Sequence, residues 1–145
     1  MKIYYREKSG GIEILRCFGI ESRVEIPGMI DDKLVIRAAP YAFSSHMDEK
    51  EELKNASLWE VSEGLGFGRE EHVLAGNDVE EIVFPYTLKE IGRYIFYGCG
   101  NLAQIALPAG LVELGTAAFK NSGLQEISIP PRVARLGGEV FADSA

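Results

Sequence analysis

The side chains in this chain that could act as nucleophiles, bases or metal ligands are few and scattered. There are two histidines, His46 and His72, and two cysteines, Cys17 and Cys99. His46 follows Ser45 in the run "SSH". Adjacent residues rarely make a working Ser–His pair, because the imidazole needs a third group to orient it. Neither histidine stands at a metal-ligand spacing and the cysteines form no CxxC, so we expect no metal site and no cofactor. Two isolated cysteines read as reduced and buried, with a single disulfide between them as the alternative. The stretch "GLGFGREE", Gly64 to Glu71, has the look of a phosphate loop. It lacks the G-x-G-x-x-G spacing and the G-K-S/T ending, and two glutamates follow where a phosphate needs donors. Glu80 and Glu81 are neighbours, and on a strand neighbours point to opposite faces, so no general acid–base pair follows. No catalytic residue is assigned, and an enzyme is not expected.

The elements around these residues set the broader reading. At 145 residues the chain makes one domain. Its formal charge of −7 argues against nucleic acid or an anionic membrane as partner. That charge is local: residues 47–81 hold 11 acidic and 3 basic residues, and the remainder sums to +1. No run reaches the roughly 20 apolar residues that a membrane helix needs, so no membrane insertion is expected. The opening "MKIYYREKSGG" has charge without an apolar core, which makes the cytoplasm the default compartment.

The strongest signal is internal repetition. "LAQIALP", Leu102 to Pro108, returns as "LQEISIP", Leu124 to Pro130. Counting outward from Pro85, Pro108 and Pro130, six positions are apolar in all three registers. They are Val79, Leu102, Leu124; Ile82, Ile105, Ile127; Phe84, Leu107, Ile129; Leu88, Leu111, Val133; Ile91, Leu114, Leu136; and Phe96, Phe119, Phe141. Gly92, Gly115 and Gly137 recur seven residues after the proline. The L-x-x-I-x-L-P segment ends as a strand that proline stops. The glycine is expected to supply a backbone conformation that bulkier residues resist, and the phenylalanine to fill the interior. One such turn cannot stand alone, so turns must stack on a continuous core.

The run "FPYTLKEIGRYIFYGCGNLAQIALPAGLVELGTAAFKNSGLQEISIPPRVARLGGEVF" resembles the BspA-like class of leucine-rich repeat, whose unit reads L-x-x-I-x-I-P-x-x-V-x-x-I-G-x-x-A-F-x-x-C. The likeness covers residues 79–141. It implies a β-rich leucine-rich-repeat solenoid, a right-handed coil of about 22 residues per turn. It also implies that Cys99 takes the family's ladder position, with Asn121 there in the next turn and Asn55 upstream, each turned inward to bond backbone. Repeats of this class occur in bacterial surface and secreted proteins that bind host or matrix proteins. A cell-surface or secreted setting is therefore the alternative to the cytoplasm.

Outside the regular turns the pattern loosens. Residues 1–20 read as an N-terminal β-hairpin cap around "KSGG". Residues 21–57 read as a first turn in which Pro27 to Phe43 spans 16 residues instead of 11, an insertion of 5 around "MIDDK". "SSHMDEKEELK" follows as a short inserted helix. Asn55, Leu58 and Val61 match Cys99, Leu102 and Ile105, which makes 58–78 a degenerate repeat. Residues 79–145 hold the three regular repeats. At the C-terminus no cap is apparent.

What remains for function is a surface. Outward strand positions should form rows about 4.8 Å apart, one residue per turn. The rows expected are Trp59, Glu80, Ala103, Gln125; Glu60, Glu81, Gln104, Glu126; and Ser62, Val83, Ala106, Ser128. They form an acidic stripe beside small residues, suited to a basic peptide or loop of a protein partner. A bland solvated face is the competing reading. A structural role is a further alternative, with homo-oligomers formed through the uncapped C-terminal edge.

Overall fold

A computed structural model describes residues 1–19, 21–44, 55–60, 72–124 and 127–138. In chain order its strands are β1 (Lys2–Lys8), β2 (Gly11–Gly19), β3 (Arg23–Glu25), β4 (Met29–Ile30), β5 (Lys33–Ala38), β6 (Ser57–Glu60) and β7 (His72–Val73). After a single 3-10 turn at Gly76–Asp78 come β8 (Glu81–Val83), β9 (Glu90–Ile91), β10 (Gln104–Ala106), β11 (Glu113–Leu114) and β12 (Arg135–Leu136). The helix expected within "SSHMDEKEELK" falls on 45–54 and lies outside the described residues.

The first three turns each contribute one short strand to each of two sheets, and the last contributes β12 to the larger. β3, β8 and β10 run parallel in the smaller sheet, and β5, β9, β11 and β12 run parallel in the larger. The two sheets enclose the core. Val24 and Ile82 face it from the smaller sheet and Ala38, Ile91 and Leu114 from the larger, each exposed by 1% or less. Between them Phe43, Phe96 and Phe119 stack ring on ring, with centroids 5.5 Å apart at both steps. This is the apolar column that the one-phenylalanine-per-turn spacing demanded.

The repeated glycine works differently from the expectation. Gly92, Gly115 and Gly137 do not adopt the left-handed conformation; that belongs to the position two residues later, where Tyr41 (φ 61°), Tyr94 (54°) and Ala117 (54°) sit. What the glycine permits is close stacking. A Cβ on Gly115 would lie 2.3 Å from Arg93 N, on Gly92 2.4 Å from Pro40 N, and on Gly137 2.2 Å from Thr116 N. No side chain fits in a gap set by backbone on both sides.

The first turn stacks directly on the turn beginning at Val79. Arg23, Val24 and Glu25 pair in register with Glu81, Ile82 and Val83, while β10 occupies the other edge of β8. β8 thus has β3 on one edge and β10 on the other, and most of the stretch expected as a degenerate repeat, residues 61–71, lies outside the described residues. β6 instead pairs antiparallel with β1, and β7 antiparallel with β2. Leu58, expected in the core beside Leu102, is 48% exposed. The insertion around "MIDDK" supplies β4 and the turn of the β4–β5 hairpin, in which Asp31 and Asp32 (φ 52° and 59°) make a two-residue turn of the primed type.

The N-terminal hairpin imitates a preceding turn. β2 lies parallel to β5, and Ile14 O accepts from Ala39 N–H as Ala38 O does from Gly92 and Ile91 O from Gly115. Within the stack, the carbonyl preceding each phenylalanine accepts from the turn before it: Phe43 N to Ile95 O and Phe96 N to Ala118 O, both at 3.0 Å. Ala42 is the first turn's counterpart. There the guanidinium of Arg16, 1% exposed, donates to Ala42 O at 3.2 Å and Tyr41 O at 2.7 Å. A buried cation thus serves Ala42 O, the acceptor that a preceding repeat would otherwise serve.

Candidate protein-binding face

On the outward side of β3–β8–β10 the rows follow from strand alternation. Arg23, Glu81 and Gln104 form one row, and Glu25, Val83 and Ala106 the next. Ser22, Glu80 and Ala103 precede them, tied by Glu80 N to Ser22 O and Ala103 N to Glu80 O, both at 2.9 Å. Glu81 and Val83 are half-buried and the others exposed; Ser128 is exposed as well. Arg23 donates to the Glu25 carboxylate, and its Nε lies 3.0 Å from Glu81 Oε2. Its pKa is raised, first by the hydrogen bond to Glu25 and then by that carboxylate's charge. One cation therefore answers part of the charge of Glu25, Glu80 and Glu81, and the expected acidic stripe is a mixed-charge patch at the β3 end. Over β10 the face is neutral and low.

Of the residues expected on this face, Glu80, Glu81, Val83, Gln104 and Ala106 lie together. Trp59 and Glu60 do not: they sit on β6, opposite Ile3 and Lys2 of β1. Trp59 packs against the core and Glu60 approaches Lys2 Nζ at 4.0 Å. Ser62, Gln125 and Glu126 lie outside the described residues. Ser22, Arg23 and Glu25 were missed, although counting back from Pro27 places them at the same offsets as Glu80, Glu81 and Val83 from Pro85.

The ladder positions also shift. Cys99 Sγ donates to Phe43 O at 3.3 Å and is fully buried. Its counterpart in the next turn is Ser122, not Asn121. Ser122 N bonds Phe119 O at 3.1 Å as Cys99 N bonds Phe96 O at 3.0 Å, and Ser122 is 3% exposed. Asn121 (φ 57°) instead matches Gly98 (φ 82°), the residue before the ladder. Asn55 is exposed, with φ 66°, at the entrance to β6.

Both thiols are free, and burial pushes each up to about 12, against a smaller opposing pull from Arg16 on Cys17 and from the Gly76 backbone on Cys99. An unfolded thiol titrates near about 8.5. The folded chain then keeps protons that the unfolded chain releases, so this contribution is intact below about pH 8.5 and declines above it. Between about pH 8.5 and 10, urea unfolding should show stability falling by up to about 1.4 kcal/mol per pH unit for each thiol. The decline should flatten in a Cys17→Ala/Cys99→Ala double variant; an equal decline there would count against burial as its cause.

On the opposite sheet a row of charges crosses the molecule: Arg6, Glu13, Arg37, Glu90, Glu113 and Arg135 are successive cross-strand neighbours. Glu13 is fully buried, with Arg6 Nε and Arg37 Nε each at 2.5 Å and Lys8 Nζ at 3.9 Å; Arg37 also pairs with Glu90. The signal was available, since Glu90, Glu113 and Arg135 all stand five residues after their prolines. This row ties the cap to the stack. Among the described residues no three metal-binding side chains come together, and no helix is long and apolar enough to cross a membrane.

Comparison with known proteins agrees with this architecture. A search of the curated proteins gave no match. Among solved structures, the T. pallidum leucine-rich repeat protein superposes with a TM-score of 0.65 at 22% identity, covering 97% of this chain and 64% of the other. A leucine rich cell surface protein from Faecalibacterium prausnitzii A2-165 gives 0.64 at 16%, covering 97% and 32%. A leucine-rich repeat protein from Bacteroides ovatus ATCC 8483 gives 0.51 at 24%, covering 97% and 37%. The chain thus spans from about a third to just under two thirds of these neighbours. The family model for the BspA type leucine rich repeat region (6 copies) matches residues 70–145. With more than half its length matched and its turns stacked as two parallel sheets on a phenylalanine column, this chain belongs to the BspA-type leucine-rich repeat family.

Proposed function

We propose that the chain is a non-enzymatic protein-binding module whose contact surface is the outward side of β3–β8–β10. The observation that carries this reading is the contrast between the two sides of one sheet. Val24, Ile82 and Ile105 keep one apolar type facing inward, while the outward neighbours change from Arg23 to Glu81 to Gln104 and from Glu25 to Val83 to Ala106. A parallel sheet holds such varied side chains at fixed spacing in rows, an arrangement suited to a polypeptide partner. The charged β3 end favours a partner segment with basic residues, and the low β10 end accepts a close-packed apolar one.

The partners proposed are host, matrix or other bacterial proteins, and the setting is the cell surface or exterior, in keeping with the F. prausnitzii neighbour. Affinity capture from the native surroundings tests the reading. Partners held by the wild type should be lost with Val83→Arg and Glu81→Lys, and kept with Arg135→Glu on the other sheet. Recovery unchanged by the two face substitutions would refute the face as the contact surface.

A second reading rests on Leu136. Its counterparts Ile91 and Leu114 are each 1% exposed, whereas Leu136 is 58% exposed on β12. An exposed apolar strand edge favours a structural role in which another copy or further turns cover it. Light scattering that shows Leu136→Glu and wild type to be the same monomer would remove this reading.

A further inference from the structure

We propose that the edge of the molecule carrying Met29, Leu34 and Tyr86 is a self-complementary surface that pairs with a second copy of this chain. The three side chains are among the most exposed large apolar groups described, at 53%, 46% and 82%. They belong to two segments that touch. Met29 and Leu34 are cross-strand partners in the β4–β5 hairpin. Thr87, next to Tyr86, donates its hydroxyl to Val35 O at 2.6 Å and approaches Gly28 O at 3.4 Å. Those carbonyls belong to the residues adjoining Leu34 and Met29, and a Cβ on Gly28 would lie 3.7 Å from Pro85.

This edge is where the first turn departs from the repeat. The insertion supplies β4 and the hairpin's turn, and the position of Tyr86 is filled by Ala109 and Pro131 in the next two turns. Met and Tyr are side chains that contact surfaces favour. A cluster of exposed apolar side chains set among charges marks an interaction site more often than chance exposure.

The flanking charges identify the occupant. At the hairpin tip Lys33 is engaged by Glu7 at 2.8 Å and Asp31 at 4.0 Å. Asp32 is exposed and has no ion pair among the described residues. On the other flank Lys89 is likewise exposed and without an ion pair among them; its Nζ would lie 2.7 Å from a Cβ on Gly110, itself 3.6 Å from Tyr86 O. The patch therefore carries one spare anion and one spare cation on either side of an apolar centre. A partner of single sign would leave one of them facing a like charge. A second copy related by a two-fold axis through the Tyr86 side brings Asp32 to Lys89 twice.

Analytical ultracentrifugation tests the proposal. Wild type should show a monomer–dimer equilibrium with a Kd on the order of 10–100 µM, since three large side chains make an interface at the small end of the range. Tyr86→Ser should weaken it at least tenfold without altering thermal unfolding, because the ring is solvent-exposed. Asp32→Lys and Lys89→Glu should each be monomeric alone, and an equimolar mixture of the two should dimerise again. Wild type that stays monomeric to about 1 mM, Tyr86→Ser that dimerises as tightly as wild type, or a mixture that does not recover would each overturn it. Association lost on Leu136→Glu and untouched by Tyr86→Ser would assign self-contact to the last turn instead. None of these outcomes bears on the strand face.

Discussion

Gly115→Ala should destabilise the protein by at least about 3 kcal/mol, at the upper end of what added volume costs in a packed interior. With an m-value of about 2 kcal/mol/M, the urea midpoint would fall by about 1.5 M. The reason is contact with backbone. The new methyl would meet Arg93 N at 2.3 Å, Gly92 C at 2.5 Å and Arg93 Cα at 2.7 Å. A flexible side chain could move aside, but these atoms are held by the parallel pairing of β9 with β11. Relief requires the two turns to separate, which would strain that pairing and loosen the Phe96–Phe119 stack. Gly138→Ala is the control, because a Cβ there meets nothing within 4 Å and the backbone is not left-handed. Equal midpoints for the two variants would contradict the close-approach explanation.

Arg16→Met should cost about 3 kcal/mol, through loss of charge-assisted hydrogen bonds to two turn carbonyls in a buried site. Methionine replaces much of the aliphatic volume, so the loss reports the guanidinium. The damage should be local: hydrogen exchange at residues 41–44 should quicken while the turn at 117–119, served by its neighbours, keeps its protection. Arg16→Lys should recover only part of the loss, since the ammonium lacks the planar fork. A cost below about 1 kcal/mol, or a uniform rise in exchange, would mean that Arg16 does not take the place of a preceding turn.

These two residues mark the limits of what the sequence displayed. The stacked part was legible because one requirement, an apolar side chain at the same depth in every turn, is written once per repeat. Val79, Leu88, Ile91, Phe96, Leu102, Leu111, Leu114 and Phe119 are all buried to 1% or less. The glycine column was visible as a pattern, but its cause was not. Flanking residues that permit either reading cannot distinguish a left-handed turn from a close approach. Asn121 was misplaced because the 23- and 22-residue periods differ by one residue between the phenylalanine and the next leucine. Phe96 to Leu102 is six and Phe119 to Leu124 is five, so counting back from leucine and forward from phenylalanine give different answers. Backbone hydrogen bonds favour the forward count.

The cap was the least legible part. "NASLWEV" satisfies the local spacing of a repeat, yet β6 leaves the stack and pairs with β1. A strand's local pattern fixes which residues share a face; it does not name the partner strand. Trp59 and Glu60 were drawn into the proposed face by that spacing, and Ser22 and Arg23 take their rows. The effect on the candidate site is chemical. A row expected to begin with carboxylates begins with an arginine held between two of them.

Site-specific photo-crosslinking distinguishes the strand face from the opposite sheet as the surface that meets a partner. A photoreactive residue at position 104, exposed on β10 of the proposed surface, should give a discrete protein adduct in the native surroundings, and the same residue at position 135 on the opposite sheet should not. Adducts from position 135 with none from position 104 would place the contact surface on the other side of the molecule and contradict the account.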